Sequence, residues 1–513
     1  MTKMTNKTSN NNKRIAKNTM MLYIRMALTM IVSLYTSRVV LASLGIEDFG
    51  IYNVVGGVIG MFGFLNGSMA STTQRFLNYA LGKGDSTYIN KIFSLAFFIH
   101  LGIAIIVLVL CETVGLWFLN YKLVIPDNRM WAANIVFQVS MISSFLAIVG
   151  TVFNGCIIAH EKMGYYAYVS IYDTFVKLAI AYLISIVSFD RLIFYAILLA
   201  IVSITSFLLP FIMCLRQFSE TKIKWYKDTA LAKDMFGFSG WNILGSLSWL
   251  LRDQGVNMLI NIFLGPIANA SRAVAVQVSN AIQGFVSNFM TAMSPQITKN
   301  YASGNLKEME TLAYRGSRFS FLLLFMIALP FMLNSEYILH LWLKEVPKDA
   351  NSLVILTLID CIVNAVFGVP LITSLMATGN IKKYQISVSS IMLLIVPIGY
   401  ITLSLGLGIT SVFYGMICIS IVSGILRYLF CMRMIGYHLN IFIRKTIIPI
   451  LLVTVLCVPT TLFVRYEYCQ QQTFLTFIIL CSVTTLLTVS TSLLFGMSSH
   501  ERNVIFNMIR KKL

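Results

Sequence analysis

Charged and polar side chains recur inside the apolar segments of this sequence, at spacings that place them on one face of a helix. In the segment 19–41, Arg25, Thr29 and Ser33 follow one another at intervals of four residues, so a helix brings them to the same face. A guanidinium group binds phosphate through two parallel hydrogen bonds, a geometry that an ammonium group lacks. The spacing therefore predicts a polar surface on which an arginine could hold an anion.

Later apolar segments carry polar faces that include carboxylates as well as arginines. Asp253 and Arg272 each lie on such a face, whereas Arg252 lies about 100° around the helix from that of Asp253. Asp360 has no basic residue one turn away, so either it or Asp253 could bind a coupling cation, or Asp360 could pair with an arginine. The side chains that we expect to line a polar cleft beside these charges are Thr29, Ser33, Asn242, Ser246, Asn257 and Gln283.

These charges also have interpretations that involve no binding site. Arg38 and Arg272 lie only a few residues from the outer ends of their predicted helices, and their guanidinium groups could reach the membrane surface. Arg25 could do the same at the inner end, although its polar neighbours favour the cleft. Asp173 and Lys177 are four residues apart, a spacing that favours an ion pair within one helix.

The elements that hold these residues are predicted transmembrane helices. Of the 513 residues, 57% are hydrophobic and 12% are charged, whereas a soluble domain has about 25% charged residues. A span needs roughly 20 apolar residues, and the sequence contains about fourteen such runs. The predicted fold class is an all-α polytopic membrane protein. Its spans, numbered 1 to 14, are 19–41, 49–70, 92–119, 130–158, 165–189, 192–215, 235–263, 267–290, 319–343, 353–376, 385–405, 409–432, 443–464 and 473–497.

The domain organisation follows from these spans and from the positive charges between them. Most of the 39 Lys and Arg residues lie at the two ends and in alternate connectors, which predicts cytoplasmic termini and an uncleaved first span. The predicted parts are a basic tail (1–18), an N-terminal lobe of spans 1–6 (19–215), a connector (216–234), a C-terminal lobe of spans 7–12 (235–432), and spans 13 and 14 with a cytoplasmic tail (433–513).

An internal repeat relates the two lobes when the chain is compared with itself at an offset of about 220 residues. LASLGIEDFG aligns with NIFLGPIANA, NYALGKGD with KNYASGN, and CIIAHEKMGYY with SLMATGNIKKY. Each unit holds six spans, so both lobes begin on the same membrane side and form parallel repeats. Two such lobes are expected to enclose a central cleft, with spans 1, 2, 7 and 8 beside it. Spans 13 and 14 have no counterpart and are an addition.

Several function classes find no support in the sequence. The nine cysteines lie singly without a CxxC pair, and the five histidines form no HExxH motif, so we expect no metal and no cofactor. The basic residues lie between apolar runs rather than in one patch, which disfavours nucleic acid. GKGD lacks the remainder of a phosphate-binding loop, and the outer connectors are too short to suggest a catalytic loop. We therefore expect that the chain is not an enzyme.

The stretch SRVVLASLGIEDFGIYNVVGGVIGMFGFLNGSMASTTQRFLNYALGKGD carries a resemblance that extends over nearly the whole chain. Its LGxxxFGxY turn and the RF...GKGD segment after span 2 resemble the multidrug/oligosaccharidyl-lipid/polysaccharide exporter superfamily. Within that superfamily the chain is similar to the fourteen-helix polysaccharide flippases of the O-antigen (Wzx) type. The motifs are moderately specific for the polysaccharide branch and do not identify a sugar.

The resemblance implies a cargo and a set of residues that bind it. The cargo would be an undecaprenyl-diphosphate-linked oligosaccharide for O-antigen, capsule or exopolysaccharide, moved from the cytoplasmic to the periplasmic leaflet by alternating access, with the lipid tail in the membrane. Relatives place diphosphate-binding arginines on helices 1, 2 and 8, which Arg25 and Arg272 match here. Span 2 has no basic residue, so Arg38 or Arg252 would have to substitute. A polysaccharide polymerase and assembly proteins are the implied partner proteins.

Two other functions remain open at this point. A cation-coupled multidrug exporter of the same superfamily would need carboxylates in a lobe cavity and usually twelve spans, whereas span 1 has no acidic residue. A structural membrane scaffold would not account for polar faces in both repeats. Either a coupling ion or the membrane voltage alone could drive transport. The voltage contributes about 2.3 kcal/mol per charge per 100 mV.

Overall fold

The computed structural model describes residues 2–60, 63–121, 123, 125–343, 346–468, 473–499 and 501–503. Within some helices only the backbone is described, and the side chains of Arg38 and Asn261 are among those that lie outside the described residues. All regular secondary structure in these ranges is helical. Two compact units divide the chain, Met1–Ile243 (unit 1) and Leu244–Leu513 (unit 2).

Unit 1 is an assembly of seven complete α-helices in the described ranges, and two of them begin at polar caps. Asp85 accepts hydrogen bonds from the backbone amides of Thr87 and Tyr88 at the start of one helix, and Asp190 starts another in the same way. Such caps satisfy amides that have no partner within the helix. The helices are α1 (Thr2–Gly60), α2 (Gly63–Lys83), α3 (Ser86–Leu110), α4 (Leu116–Tyr121), α5 (Met130–Ala159), α6 (Met163–Ile186) and α7 (Arg191–Gln217).

Aromatic rings join three of these helices in the core of unit 1. The ring of Phe153 on α5 lies edge-on to Phe93 of α3, with centroids 5.6 Å apart. It makes the same kind of contact with Phe207 and Phe211 of α7, at 5.8 and 5.1 Å. Edge-to-face contacts at these distances add about 0.5–1.5 kcal/mol each to the burial of the rings. The cluster therefore fixes the relative positions of α3, α5 and α7.

Unit 2 begins within the longest helix, α8 (Thr229–Ala302). Two breaks divide later spans: Gly368 separates α11 from α12, and Leu394 separates α13 from α14. A Cβ atom at Gly368 would lie 2.2 Å from the carbonyl oxygen of Asn364, so only glycine fits there. The remaining helices are α9 (Leu306–Leu333), α10 (Ser335–Trp342), α11 (Ala350–Phe367), α12 (Val369–Thr378), α13 (Lys382–Leu393), α14 (Ile395–Ser404), α15 (Ile409–Ile435), α16 (Leu439–Phe442), α17 (Ile448–Tyr468) and α18 (Phe474–Thr491).

The described residues include ten helical segments that are long and apolar enough to cross a membrane. They correspond to predicted spans 3 to 6 and 9 to 14. Predicted spans 1 and 2 fall on α1 and the start of α2, and spans 7 and 8 fall on α8. The total of fourteen stays a prediction. One difference concerns the predicted polar tail, because the backbone of α1 is already helical from Thr2.

Backbone conformation supports the predicted repeat. The helices α1 and α8 are both interrupted by a glycine with positive φ, Gly45 (φ 82, ψ 169) and Gly265 (φ 78, ψ −177), which are 220 residues apart. Gly84 and Gly304 form a second pair at the same offset, with φ of 77 and 75. These backbone angles are nearly restricted to glycine. Matching turns therefore occur at matching positions of the aligned segments.

The two added helices pack within unit 2. Both α17 and α18 contact α9. Gly496, in the π-helical turn that ends α18, comes so close to its neighbours that a Cβ atom there would lie 3.1 Å from the Leu322 side chain. The C-terminal pair is therefore anchored on α9 through a close backbone approach.

Candidate functional site

Polar side chains connect the two halves of α8 on either side of its break at Gly265. Arg272 donates hydrogen bonds to the carboxylate and the backbone carbonyl of Asp253, the latter at 3.1 Å, and to Oδ1 of Asn257 at 3.2 Å. Asn269 donates to the backbone carbonyl and side-chain oxygen of Asn257, both at 3.2 Å. Because residues before the break meet residues after it in reverse order, the two halves run antiparallel. We call these four residues the α8 zipper.

In the α8 zipper, Arg272 is paired with a carboxylate. The sequence predicts that it either binds an anion or reaches the membrane surface. Its side chain is only 7% exposed and lies in an ion pair with Asp253, so it does not extend to a membrane surface. Asp253, one of the two candidates for ion coupling, already has a cation beside it. The structure brings together Asp253, Asn257 and Arg272 of the predicted site as one group, and their role in binding stays a prediction.

A second buried group lies where α8 meets α11 and α15. The guanidinium of Arg252 is 3.6 Å from Oδ2 of Asp360 and 3.5 Å from Oγ of Ser420. Asn364 donates to the same Asp360 oxygen at 3.2 Å and to Ser420 at 3.2 Å. The sequence left Asp360 either as a cation-binding carboxylate or as the partner of an arginine, and in the structure it pairs with Arg252. We call this group, together with Arg427, the Arg252 cluster.

Arg427 is a member of the cluster that the sequence analysis missed. Its side chain is buried, with 5% of the residue exposed, and it contacts the sulfur of Met392 at 3.8 Å. It also acts electrostatically on Asp360. A signal was present in the sequence, since Arg427 falls inside the predicted span 409–432. Two buried arginines therefore lie near the Asp360 carboxylate, and Arg252 is the one within ion-pair distance of it.

Close backbone contacts hold α8 against its neighbours around the cluster. A Cβ atom at Gly245 would lie 2.7 Å from the side-chain amide of Gln385, and one at Gly255 would lie 2.8 Å from Val396. Gln283, one of the predicted lining residues, donates to the sulfur of Cys361 on α11 at 3.0 Å. The second half of α8 is thereby tied to the helix that carries Asp360.

The predicted residues of unit 1 are spread along one helix. The guanidinium carbon of Arg25 lies 5.0 Å above the centre of the Tyr166 ring on α6, a cation–π geometry. Thr29 donates to the backbone carbonyl of Met26 at 3.1 Å, and the Ser33 side chain is exposed. Arg25 is thus half-buried against α6. Arg38 was also predicted to bind the cargo, but its side chain lies outside the described residues.

The remaining predicted residues near the unit boundary have simpler environments. Asn242 is buried and donates to the backbone carbonyl of Ser68 at 2.8 Å, a contact within unit 1. Ser246 is half-buried on α8. Asn242 therefore joins α8 to α2 as a structural contact, and a role for either residue in lining a cleft stays a prediction.

Asp48, one of the two acidic residues in the LASLGIEDFG segment, has a structural role that the sequence did not reveal. Arg129, just before α5, binds both carboxylate oxygens of Asp48 at 2.8 and 2.6 Å and Oδ2 of Asp190 at 2.6 Å. Burial alone raises the pKa of Asp190, but hydrogen bonds from Arg129 and from the amides of Ile193 and Leu192 outweigh it and lower that pKa. The triad ties the α1 segment to the starts of α5 and α7.

Most carboxylates inside the described spans have a cation beside them. Asp253 pairs with Arg272, Asp360 with Arg252, and Asp173 with Lys177 at 2.7 Å, as its spacing predicted. Glu112 instead accepts a hydrogen bond from the Gln138 amide at 3.3 Å. Over the described ranges, no group of three or more His, Cys, Asp or Glu side chains could hold a metal ion. The chemistry that these spans offer is therefore dominated by buried guanidinium groups.

Comparison with solved structures identifies the architecture. A multidrug resistance MATE family transporter of the MOP superfamily, in an outward-facing conformation, superposes with a TM-score of 0.72 at 14% sequence identity, covering 83% of this chain and 96% of the transporter. The chain has the fold of the MATE transporters. A MATE structure in a bent conformation matches the same fold equally well, also with a TM-score of 0.72, 14% identity and 83% and 96% coverage.

A third structure with the MATE fold differs in the polarity of its binding pocket. It is a MOP superfamily transporter from Pyrococcus furiosus, described as having a reversed pocket polarity that suggests a different function. It matches with a TM-score of 0.68 at 14% identity, over 84% of this chain and 97% of its own. The MatE family model matches residues 243–401, almost entirely within unit 2. No curated protein sequence matches the chain.

The MATE fold and the apolar helices together establish a multi-pass membrane protein. The predicted resemblance to the superfamily is supported at the level of the fold. The finer prediction, a polysaccharide flippase of the O-antigen type, is not distinguished by these matches, because the solved structures include multidrug exporters.

Proposed function

We propose that this chain is a transporter of the MATE fold, not an enzyme, and that it moves an anionic, lipid-linked cargo across the bacterial inner membrane by alternating access. The proposed cargo is the undecaprenyl-diphosphate-linked oligosaccharide that the sequence resemblance implies. The observation that carries the proposal is the Arg252 cluster, in which Arg252 pairs with Asp360 and a second buried arginine, Arg427, lies near that carboxylate. Its surplus of positive charge suits an anion rather than a cation.

Burial strengthens this electrostatic argument. Arg252 and Arg427 are each 5% exposed, and charges removed from water interact much more strongly with an approaching ion. A diphosphate presents oxygens in the geometry that a guanidinium binds with two parallel hydrogen bonds. We infer that Arg252, Arg272 and Arg25 are the residues to test first. Within unit 2, Asp360 holds Arg252 in place and Asp253 holds Arg272.

The second candidate is a cation-coupled multidrug exporter, and the comparisons favour it over the flippase. The solved structures with this fold include a multidrug resistance transporter. A fold does not fix the cargo, however, and the transporter with reversed pocket polarity has the same fold. For a cationic drug or a coupling cation, the carboxylates of Asp253 and Asp360 would have to separate from the arginines that now neutralise them.

Transport by purified protein in proteoliposomes separates the two candidates. One set of vesicles contains a fluorescent lipid-diphosphate oligosaccharide, scored by access of an external lectin, with and without an inside-negative potential. A second set measures transport of a cationic dye driven by a proton or sodium gradient. Protein-dependent exposure of the oligosaccharide supports the flippase. Dye transport without oligosaccharide exposure rejects the flippase and supports the drug exporter.

Variants of the arginines test the binding role in the same assay. Arg272→Ala and Arg25→Ala should reduce oligosaccharide exposure at least about tenfold, since a charge-assisted contact contributes about 1.5–3 kcal/mol. The lysine variants should recover part of the loss, because lysine keeps the charge without the fork geometry. Arg433→Gln, in the last turn of α15, is the matched control and should transport normally. Full activity of both alanine variants at equal protein level would refute the arginine assignment.

A further inference from the structure

A basic pocket lies in unit 2 away from the Arg252 cluster. It has a volume of about 130 Å³ and is lined by side chains of α9, of the π-helical turn before α17, and of the segment that follows α18. A single water needs roughly 10–15 Å³ of such space, so the pocket can hold a larger group. Its lining residues are Thr311, Tyr314, Arg315, Arg318, Lys445, Ser498 and Glu501.

The pocket carries more positive than negative charge. Arg318 donates to both carboxylate oxygens of Glu501, at 2.7 Å for Oε1, and to the backbone carbonyl of Lys445 at 2.8 Å. Arg315 contacts Glu501 through Nε at 3.0 Å, which uses one of the five donors of a guanidinium. Three cations against one carboxylate leave two formal positive charges. The pocket is therefore built for an additional anion.

Burial of these charges decreases from the floor of the pocket to its rim. The side chain of Arg318 is 7% exposed and that of Arg315 is 21% exposed, whereas Lys445 is exposed. Ser498 is also at the rim, and its backbone amide donates to Glu501 at 2.8 Å. An anion could thus enter past Lys445 and meet the guanidinium groups behind it. Glu501 is held by Arg318 and by Ser498, so it fixes the arginines without filling the rim.

The position of the pocket along the helices indicates where the anion comes from. Arg315 and Arg318 come just before predicted span 9, which begins at 319, Lys445 lies at the start of span 13, and Ser498 follows the end of span 14. These three ends lie together at the level where apolar helix gives way to charged residues. The distribution of Lys and Arg predicts that this end faces the cytoplasm. Basic pockets between helix ends at that membrane surface suit the head groups of anionic lipids.

We propose that this pocket binds the phosphate group of an anionic phospholipid from the cytoplasmic leaflet. Arg315, Lys445 and the Ser498 hydroxyl contact the phosphate. Glu501, which is bound by Arg318, keeps Arg315 in position. The bound lipid joins α9 to the added helices α17 and α18 and stabilises unit 2. This site is separate from the cargo site and does not depend on which cargo is transported.

The test is thermal unfolding of the full-length protein in detergent with increasing amounts of three additives. The additives are dioctanoyl phosphatidylglycerol, dioctanoyl phosphatidylcholine and inorganic phosphate, all at constant ionic strength. Phosphatidylglycerol should raise the unfolding temperature most. Its half-maximal concentration should rise about fivefold in Lys445→Gln, as expected for the loss of one cation at a membrane surface. Arg318 binds the backbone carbonyl of Lys445, so this contact is retained in Lys445→Gln.

The matched control is Arg444→Gln, because Arg444 is exposed next to Lys445 but does not line the pocket. An unchanged response in this control, with a weaker response in Lys445→Gln and Arg315→Gln, supports the proposal. An equal response to inorganic phosphate would keep the phosphate site but refute the lipid as its source. Equal losses in Arg444→Gln and Lys445→Gln, or no stabilisation by any additive, would overturn the proposal.

Discussion

Removal of the Asp360 charge should strongly destabilise unit 2. In Asp360→Asn, Arg252 and Arg427 would keep their charges while each is 5% exposed, and Arg252 would lose the ion pair that it forms with this carboxylate. The amide can still accept a hydrogen bond from Asn364, so the change acts mainly through charge. Breaking a buried ion pair from one side costs about 3–5 kcal/mol.

The geometry places the expected cost near the lower end of that range. The Arg252 to Asp360 contact is 3.6 Å long, and both Nε of Arg252 and Oδ1 of Asp360 are buried without a hydrogen bond. We therefore expect a loss of about 3 kcal/mol in the free energy of unfolding. Arg252→Gln combined with Asp360→Asn removes both charges and should recover part of it, with a coupling energy of about 1–3 kcal/mol.

The assay is unfolding of the purified protein in mixed detergent micelles by increasing amounts of a denaturing detergent. Asp228→Asn is the control, because Asp228 pairs with Lys91 at 2.6 Å in a surface connector, where solvent screens the interaction. Asp228→Asn should lower the free energy of unfolding clearly less than Asp360→Asn does. Unchanged stability of Asp360→Asn, or strictly additive effects in the double variant, would refute the buried pair. An altered cation dependence of transport at unchanged stability would instead assign Asp360 to ion coupling.

Two further predictions concern the backbone breaks and the triad of Arg129. Gly45→Ala and Gly265→Ala should each cost about 1–3 kcal/mol of stability, because their backbone angles are nearly restricted to glycine. Gly56→Ala, at a helical position with open space, should be neutral in the same unfolding assay, and equal effects at all three positions would contradict the argument. Because the pKa of Asp190 is lowered in the folded state, its contribution is present above the ordinary value of about 3.9 and is lost as pH falls through the lowered pKa. Arg129→Gln should therefore weaken the loss of stability as the pH falls through the acidic range. An unchanged pH dependence would argue against the triad.

The sequence was sufficient for the features that depend on local patterns. Hydropathy predicted the segments that became α3 to α7, α9 to α15, α17 and α18, because an apolar run of membrane length has few alternatives to a helix. Helical spacing also predicted the Asp173 to Lys177 pair, which lies four residues apart on α6. It correctly separated Arg252 from Asp253, and the two side chains do reach different partners.

Pairings between distant helices could not be predicted in this way. The partner of Arg252 is Asp360, and Arg427 lies on a third helix. No spacing rule relates such positions, because their proximity depends on how helices pack. The triad of Arg129, Asp48 and Asp190 escaped for the same reason. Arg427 lies near the end of its predicted span, where a cation usually reaches the membrane surface, whereas its side chain is buried here.

Within the predicted repeat, the backbone and the charges of this chain follow different constraints. Turn geometry matches between the aligned segments, since Gly45 pairs with Gly265 and Gly84 with Gly304. At the same offset of 220 residues, however, Ser33 stands where unit 2 has Asp253, and Tyr52 stands where unit 2 has Arg272.

The α8 zipper is therefore a property of unit 2 alone, whereas unit 1 places Arg25 beside Tyr166. A backbone turn must be retained for either unit to fold, but a buried charge is costly and need not be retained unless it has a use. This asymmetry argues that the charged groups of unit 2 serve more than folding. Neutralising the zipper with Asp253→Asn and Arg272→Gln together should then reduce transport more than it reduces stability. Equal losses of both would show that the zipper is structural.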